Sequence, residues 1–369
     1  MQSLERSLQR VLFSGITSFL SRPRYGTADL PVKSFKRILI VRQHDQLGDL
    51  LIATPAIRAV RKKFPHAFIA VVAREYTAPI LECNPYVDEI IIFYEKLWRW
   101  NIRKAISFLR SLRGHHGFDC AIVLNTISRS FSSDLIALFS RAPYIIGPDH
   151  ISHDMSRPEK IYNVISRRSP AETTEIRRNI EIVETLGAEM NDFEYDLVLK
   201  DDEVLKAEKI FQSLTMNPQK NIVGVHFGAL NPSKCFPLDR LALLIDWMIE
   251  KFDAEIVLIV SPNEIERREY LVSKLIHKVH SAPIMPLRVL AALMRHVSLF
   301  ICNDTGTLHI ASSQRVATVS FHSLSDPAIW KPPQPRHIAL RAIDGLITSI
   351  TIEQVKAAIT TALKNPLQQ

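Results

Sequence analysis

Asn303-Asp304-Thr305-Gly306-Thr307-Leu308-His309 follows the apolar run Val297-Ser298-Leu299-Phe300-Ile301-Cys302 and precedes Ile310-Ala311-Ser312-Ser313. The pattern predicts a strand that ends at an Asp-Thr-Gly turn and feeds a short helix. In an α/β protein that turn lies at the carboxyl edge of the sheet, where ligands bind. Gly306 permits a tight turn and close backbone approach, and Thr305 or Asp304 is placed to cap the helix. Free amides and the positive end of the helix dipole favour an anion, with a phosphate or diphosphate the natural candidate. His309, three residues past Gly306, lies about one turn on and points toward the same ligand. Read alone, an ordinary capped helix accounts for the stretch equally well.

The flanking sequence repeats the strand–helix alternation. A series begins at Asn221-Ile222-Val223-Gly224-Val225-His226 and continues through strands at 254–260, 278–282, 297–302, 316–321 and 337–341. Helical stretches near 239–252, 264–276, 287–296 and 306–314 separate them, and 351–364 closes the chain as a helix. An earlier series starts at Arg37-Ile38-Leu39-Ile40-Val41-Arg42, with strands at 68–73, 89–93, 119–124 and 144–147. Its helices are expected at 49–64, 76–83, 97–113 and 129–140. Residues 148–171 read as an irregular polar segment, and 172–187 as a helix ending at Gly187. The fold class is α/β: two doubly wound, Rossmann-like halves facing a central ligand cleft. The expected division is 1–35 as extension and linker, 36–190 as a first domain and 191–369 as a second, each in the usual size range.

Composition narrows the function. Of 369 residues, 47% are hydrophobic, enough for sizeable cores, and the net charge of +8 suits anionic partners. The basic residues are spread along the chain rather than gathered in one arm, so nucleic acid is not the expected partner. Cys83, Cys120, Cys235 and Cys302 form no Cys-x-x-Cys pair, and Cys120 and Cys302 sit in apolar runs as core residues. A reducing cytoplasm is the simplest setting. No run of 18 apolar residues predicts a spanning helix, and Glu5, Arg6, Gln9 and Arg10 interrupt any secretory signal. Leu4, Leu8, Val11, Leu12, Ile16, Phe19 and Leu20 recur at helical spacing beside Arg6, Arg10, Arg22 and Arg24. That is the pattern of a basic amphipathic helix lying on an anionic membrane, or of one packed on the protein's own body.

Two further loops carry candidate chemistry. Gln43-His44-Asp45-Gln46-Leu47-Gly48-Asp49 follows the first strand. Gly48 allows close backbone approach, and the helix dipole keeps Asp49 ionised and able to accept a proton. His226-Phe227-Gly228-Ala229-Leu230-Asn231-Pro232-Ser233-Lys234 follows the first strand of the second series, and Lys234 is placed to neutralise a phosphate. A structural role at the helix start for Asp49 and a solvated loop position for Lys234 are the plainer alternatives.

The order and spacing of these elements resemble the ADP-heptose:lipopolysaccharide heptosyltransferases, glycosyltransferase family nine. The resemblance runs from about Lys36 to about Leu363. It rests on Ile38-Leu39-Ile40-Val41-Arg42 leading to Leu47-Gly48-Asp49 and Thr54-Pro55-Ala56-Ile57-Arg58, then Arg178-Asn179-Ile180-Glu181 through Leu186-Gly187. Its third part is Asn303-Asp304-Thr305-Gly306 with His309 and Ala311, followed by Ser325-Asp326-Pro327. The chain departs from the family at His44-Asp45-Gln46, where Ser or Thr is usual, at His322, where Gly is frequent, and in its extra N-terminal residues.

The resemblance implies a GT-B fold with the acceptor on the first domain and the nucleotide-sugar on the second. It implies an inverting, metal-independent transfer from an ADP-sugar to a lipopolysaccharide-core-type or other envelope saccharide, with no cofactor. Asp49 matches the catalytic base and Lys234 the lysine that stabilises the leaving diphosphate. Gly48, Asp304, Thr305, Gly306 and His309 match positions around the donor. Glu264 resembles the acid that holds the ribose, with Glu266 as its rival, and Met285 the residue beside adenine. Trp98, Arg99, Trp100, Arg103, Arg110 and Arg113 read as lining one helix, with Arg99 and Arg103 facing an acidic or phosphorylated glycolipid acceptor. His150, His153 and Asp154 have metal-like spacing without a framing ligand pattern, and His115-His116 read as surface. The expected setting is the inner face of the bacterial cytoplasmic membrane. The alternatives are a nucleotide-sugar-binding protein without turnover and a transferase with a different donor sugar.

Overall fold

The computed structural model describes residues 22–43, 46–96, 99–113, 117–126, 130–149, 161–167 and 169–364. The expected helix at 1–22 lies outside them except for Arg22. So do His44, Asp45, Trp98, His115, His116, His150, His153 and Asp154. The chain divides into two compact units, Met1–Asp196 and Leu197–Gln369.

The first unit is built on β1 (Arg37–Val41), whose Ile38, Leu39, Ile40 and Val41 are each 0% exposed. Full burial of each such side chain is worth about 1.5–3 kcal/mol, which is why this apolar run takes the centre of the sheet. Helix α1 (Leu47–Lys63) follows, then β2 (Phe68–Arg74) and β3 (Glu89–Phe93). Next come α2 (Ile102–Arg113), β4 (Cys120–Val123), α3 (Phe131–Phe139), β5 (Tyr144–Pro148), β6 (Val164–Ser166) and α4 (Glu175–Glu184). The strands run parallel in the order β3-β2-β1-β4-β5-β6.

Pro55 lies inside α1 and has no N–H for the Leu51 carbonyl. The Thr54 hydroxyl supplies that bond at 2.7 Å, so the Thr-Pro pair passes without breaking the helix. Buried Arg58 donates to Asp196 at 2.6 Å and to the Asp192 and Glu194 carbonyls. These bonds hold residues 191–196 on the first unit, so the division falls six residues beyond position 190.

The second unit opens with α5 (Asp201–Ser213), followed by β7 (Ile222–His226), α6 (Leu238–Phe252), β8 (Glu255–Leu258) and α7 (Ile265–Ser273). Then come β9 (His280–Ser281), α8 (Leu287–Met294), β10 (Leu299–Asn303), α9 (Gly306–Ser313), β11 (Ala317–His322), α10 (Pro327–Trp330), β12 (His337–Arg341) and α11 (Ile352–Lys364). Its order is β12-β11-β10-β7-β8-β9, all parallel. Counted from each unit's own first strand, both sheets follow the 3-2-1-4-5-6 winding of Rossmann-like domains. Each therefore has a switch point beside its first strand. The α/β class and the two Rossmann-like halves hold.

Several local expectations change. Residues 76–83 form only a 3-10 turn at Ala78–Leu81, and the strand at 278–282 shrinks to two residues. The segment expected to be irregular contains β6, where the Asn163 side chain bonds the Ile145 amide and the Pro143 carbonyl at 2.7 Å each. The linker is not free: Leu30 and Phe35 are buried, and Arg22 donates to the Ala142 and Pro143 carbonyls. Helix α5 was not anticipated. Buried Arg288 on α8 grips its Glu203 at 2.6 and 2.8 Å.

Candidate active site

In the second unit, β10 pairs with β7 on one side and β11 on the other. The register sets Cys302 opposite His226 and Asn303 opposite Phe321. The residues that follow these three strands therefore leave the sheet as neighbours. Fully buried Asn303 fastens two of them: its Oδ1 accepts from the Phe236 amide at 2.9 Å and its Nδ2 donates to the Phe227 and Gly228 carbonyls. This clasp fixes the turn that carries Lys234 (Pro232–Lys234) against the start of α9.

Asp304 is the hub of the first cluster. Its Oδ2 lies 3.3 Å from Lys234 Nζ and accepts from Ser325 Oγ at 2.5 Å, while its Oδ1 lies 3.8 Å from His322 Nδ1. Burial opposes ionisation of this carboxyl, but His322, Ser325, Lys234 and His309 hold it below its ordinary range. His309 itself is buried at 5% exposure, and burial pushes it down to about 4, so it is neutral at pH 7. It lies within electrostatic reach of Asp304 and His322 rather than out in solvent.

Neither expected cap is present. Thr305 occupies the capping position of α9, but its hydroxyl bonds Thr307 Oγ1 at 2.8 Å and caps no amide. Asp304 is turned toward Lys234 and Ser325 instead. Positive φ among the described glycines occurs at Gly117, Gly187 and Gly345, so Gly306 opens the helix without a left-handed turn.

A second chain of contacts runs from that helix start to Glu264. Thr307 Oγ1 lies 3.3 Å from His226 Nδ1, and His226 Nε2 lies 3.4 Å from Glu264 Oε2. The Ser261 amide also donates to Glu264 Oε2 at 2.7 Å. Burial works against the charge on Glu264, but His226 and Ser261 outweigh it and hold its carboxyl down at about 2. Glu264 reaches over Gly228 so closely that a Cβ at 228 would stand 1.4 Å from Oε1. Glycine at 228 leaves room for this close approach, and any side chain there would displace the Glu264 carboxylate. Glu266, its rival, is exposed on α7. Half-buried Met285 lies between β9 and α8, on the same strand-to-helix side. Sequence reasoning gave no role to His226, Ser325 or His322.

In the first unit, Asp49 stands in the opening turn of α1, where its Oδ2 accepts from the Gln46 amide at 2.8 Å. Arg42, buried at the end of β1, donates to the carbonyls of Leu124 and Asp49. Gly48 is buried within the helix. Gln43 Nε2 donates to the hydroxyls of Ser132 at 2.8 Å and Ser133 at 3.0 Å, tying the end of β1 to α3. The expected basic helix face is altered: α2 begins at Ile102, so Arg99 and Trp100 precede it. Arg99 is engaged by Glu75 at 2.6 Å, and Trp100 packs on Phe93, Tyr94 and Phe108. Arg103 is exposed on α2.

Comparison with known proteins decides the family. The sequence profile of glycosyltransferase family 9 (heptosyltransferase) matches residues 105–355. This chain belongs to glycosyltransferase family 9. Among its relatives, lipopolysaccharide heptosyltransferase 3 of Escherichia coli strain K12 is 24% identical over 302 residues, 77% of this chain and 82% of the relative. The crystal structure of a family 9 glycosyl transferase from Veillonella parvula DSM 2008 superposes with a TM-score of 0.79 at 24% identity, over 94% of this chain and 100% of that one. The ADP-heptose lipopolysaccharide heptosyltransferase II of E. coli gives 0.71 at 21% identity, over 89% and 99%. The family 9 protein is thus a glycosyltransferase of GT-B architecture. Among the described residues no helix is long and apolar enough to cross a membrane.

Proposed function

We propose that this glycosyltransferase moves a sugar, heptose, from an ADP-sugar to a lipopolysaccharide-core-type or other envelope saccharide. The observation that carries the reading is Lys234 standing 3.3 Å from Asp304, beside a helix start that no side chain caps. A cation and free amides gathered at one strand end suit a departing diphosphate.

In the proposed reaction Asp49 takes the proton from the acceptor hydroxyl. That oxygen attacks the anomeric carbon as the bond to the diphosphate breaks, and the electron pair leaves with the diphosphate. One displacement inverts the anomeric centre. Lys234 and the amides opening α9 take up the developing charge, the role a divalent cation fills in metal-dependent transferases. Glu264, ionised and already held by Ser261 and His226, presents Oε1 to the ribose hydroxyls, and Met285 packs beside adenine. Arg103 is an exposed cation that an acidic acceptor could meet, whereas Arg99 would first have to leave Glu75. Residues 1–22 attach reversibly to the anionic inner face of the cytoplasmic membrane, which flotation with acidic liposomes checks against a chain starting at Pro31.

A thermal-shift panel of nucleotides and nucleotide-sugars tests the donor. Binding raises apparent stability by mass action, so ADP and ADP-heptose should raise the melting temperature more than UDP or GDP counterparts. Equal shifts from all bases, or none, overturn the ADP-sugar reading.

A further inference from the structure

His322 ends β11, is 0% exposed, and stands behind Asp304. Its Nε2 lies 2.9 Å from Ser320 Oγ, and its Nδ1 lies 3.8 Å from Asp304 Oδ1 and 3.5 Å from Ser325 Oγ. The Asp304 amide bonds the Phe321 carbonyl at 2.9 Å, so the backbones of the two residues are locked together. A carboxylate on the Nδ1 side favours the tautomer protonated there, with Ser320 donating to Nε2.

We propose that His322 is a positioning residue: it braces the Asp304 carboxylate, and through Asp304 sets the Lys234 ammonium for the diphosphate. Two observations and one consequence of them support this. Asp304 has a different neighbour on each side, Lys234 and Ser325 at Oδ2 and His322 at Oδ1. The ring is fully buried and is itself held by Ser320 at 2.9 Å. Finally, a glycine at 322 would open a space beside Asp304 into which the carboxylate could rotate, drawing Lys234 with it. An ammonium held too closely by its carboxylate is less available to phosphate.

The groups facing His322 are Asp304, Ser325 and Asp326 beside it, Lys234 from the turn after β7, Arg341 from β12 and His309 from α9. Burial lowers its proton affinity, Lys234 and Arg341 lower it further, and Asp304 and Asp326 oppose them.

The inference rests on the ADP-sugar reading, and its test separates the two. ADP binding is measured by calorimetry for the wild type, His322→Asn, His322→Gln, Lys234→Ala and the Lys234→Ala/His322→Gln double variant. Asn places an amide where Nδ1 was and keeps the contact with Asp304, whereas Gln keeps only the Ser320 side. His322→Gln should weaken ADP about tenfold, His322→Asn by about twofold or less, and His322→Gln should add little once Lys234 is gone. Full ADP affinity in folded His322→Gln overturns the brace. So does an equal loss in both Lys backgrounds, which marks a merely structural role, or an equal loss in the Asn and Gln variants. If His322→Gln does not fold, Ser325→Ala, at a partly exposed site on the same carboxylate, must show the same dependence on Lys234. A wild type that ignores ADP while binding another nucleotide overturns the donor reading, and the cycle is then read with that nucleotide.

Discussion

Lys234 Nζ lies 3.3 Å from Asp304 Oδ2, joining residues 70 positions apart in the chain at the neighbouring ends of β7 and β10. The pairing gives the lysine a fixed resting place and a partner it can share with an incoming diphosphate. Lys234→Ala should weaken ADP and slow transfer. A charge-assisted hydrogen bond contributes about 1.5–3 kcal/mol, so the loss should be roughly tenfold to a hundredfold. Calorimetry with ADP reads it directly, and unchanged affinity would leave Lys234 as a surface lysine.

Asp49→Asn should lower turnover by about a hundredfold or more, the usual contribution of a general base. The fold should survive, because Asn keeps an oxygen for the Gln46 amide that Asp49 Oδ2 now serves at 2.8 Å. Asp49→Ala removes that cap as well and should lose about 1 kcal/mol of stability in addition. Initial rates with ADP affinity measured alongside separate the two effects. Near-normal turnover in the Asn variant removes Asp49 from the chemistry.

Gly228→Ala should weaken the donor site without touching any proposed catalytic group. The new methyl would meet Glu264 Oε1 at 1.4 Å, so the carboxylate must leave Ser261 and His226. Overpacking of this kind costs about 1–3 kcal/mol, and loss of the ribose contact should weaken ADP by a further order of magnitude. A melting curve and an ADP titration check both. Wild-type affinity in the variant would show that Glu264 does not hold the nucleotide.

The second unit should lose stability in mild acid. Burial lowers His309 to about 4 and His337 to about 3 from the ordinary 6.5. The unfolded chain therefore takes up protons first as pH falls below about 6.5. The stability that comes from keeping these rings neutral is complete above 6.5, declines as pH falls, and is gone below the folded values. Thermal melts from pH 7.5 to 4.5 should show a falling midpoint, and His337→Gln should flatten the slope. A midpoint that is level across that range contradicts the burial assigned to these histidines.

The parallel sheets were readable because Ile38 to Val41 and Leu299 to Cys302 are continuous apolar runs, the mark of strands buried on both faces. The short elements were not. Val164–Ser166 carries three residues, too few for periodicity, and its pairing depends on the Asn163 side chain. Helix α5 had a usable signal in Asp201-Asp202-Glu203 followed by Val204, Ala207 and Phe211. In the site, Asp304, Lys234 and Glu264 were singled out from sequence, but the contacts that His226, Ser325 and His322 make with the two carboxylates were not. His226, Ser325 and His322 reach them through strand register and loop packing, which sequence spacing does not encode. The Asp304 motif suggested a cap, whereas three-dimensional proximity to Lys234 and Ser325 gave the carboxylate better partners than the helix amides.

Transfer itself gives the most direct test. Purified full-length protein is incubated with ADP-heptose and lipopolysaccharide core oligosaccharides in excess EDTA, and products are followed by mass spectrometry together with ADP release. The account predicts acceptor extended by one heptose, ADP released in equal amount, an inverted anomeric centre by NMR, and about a hundredfold less product with Asp49→Asn. ADP-heptose bound without product from any core oligosaccharide, or product that appears only when magnesium or manganese is restored, contradicts it.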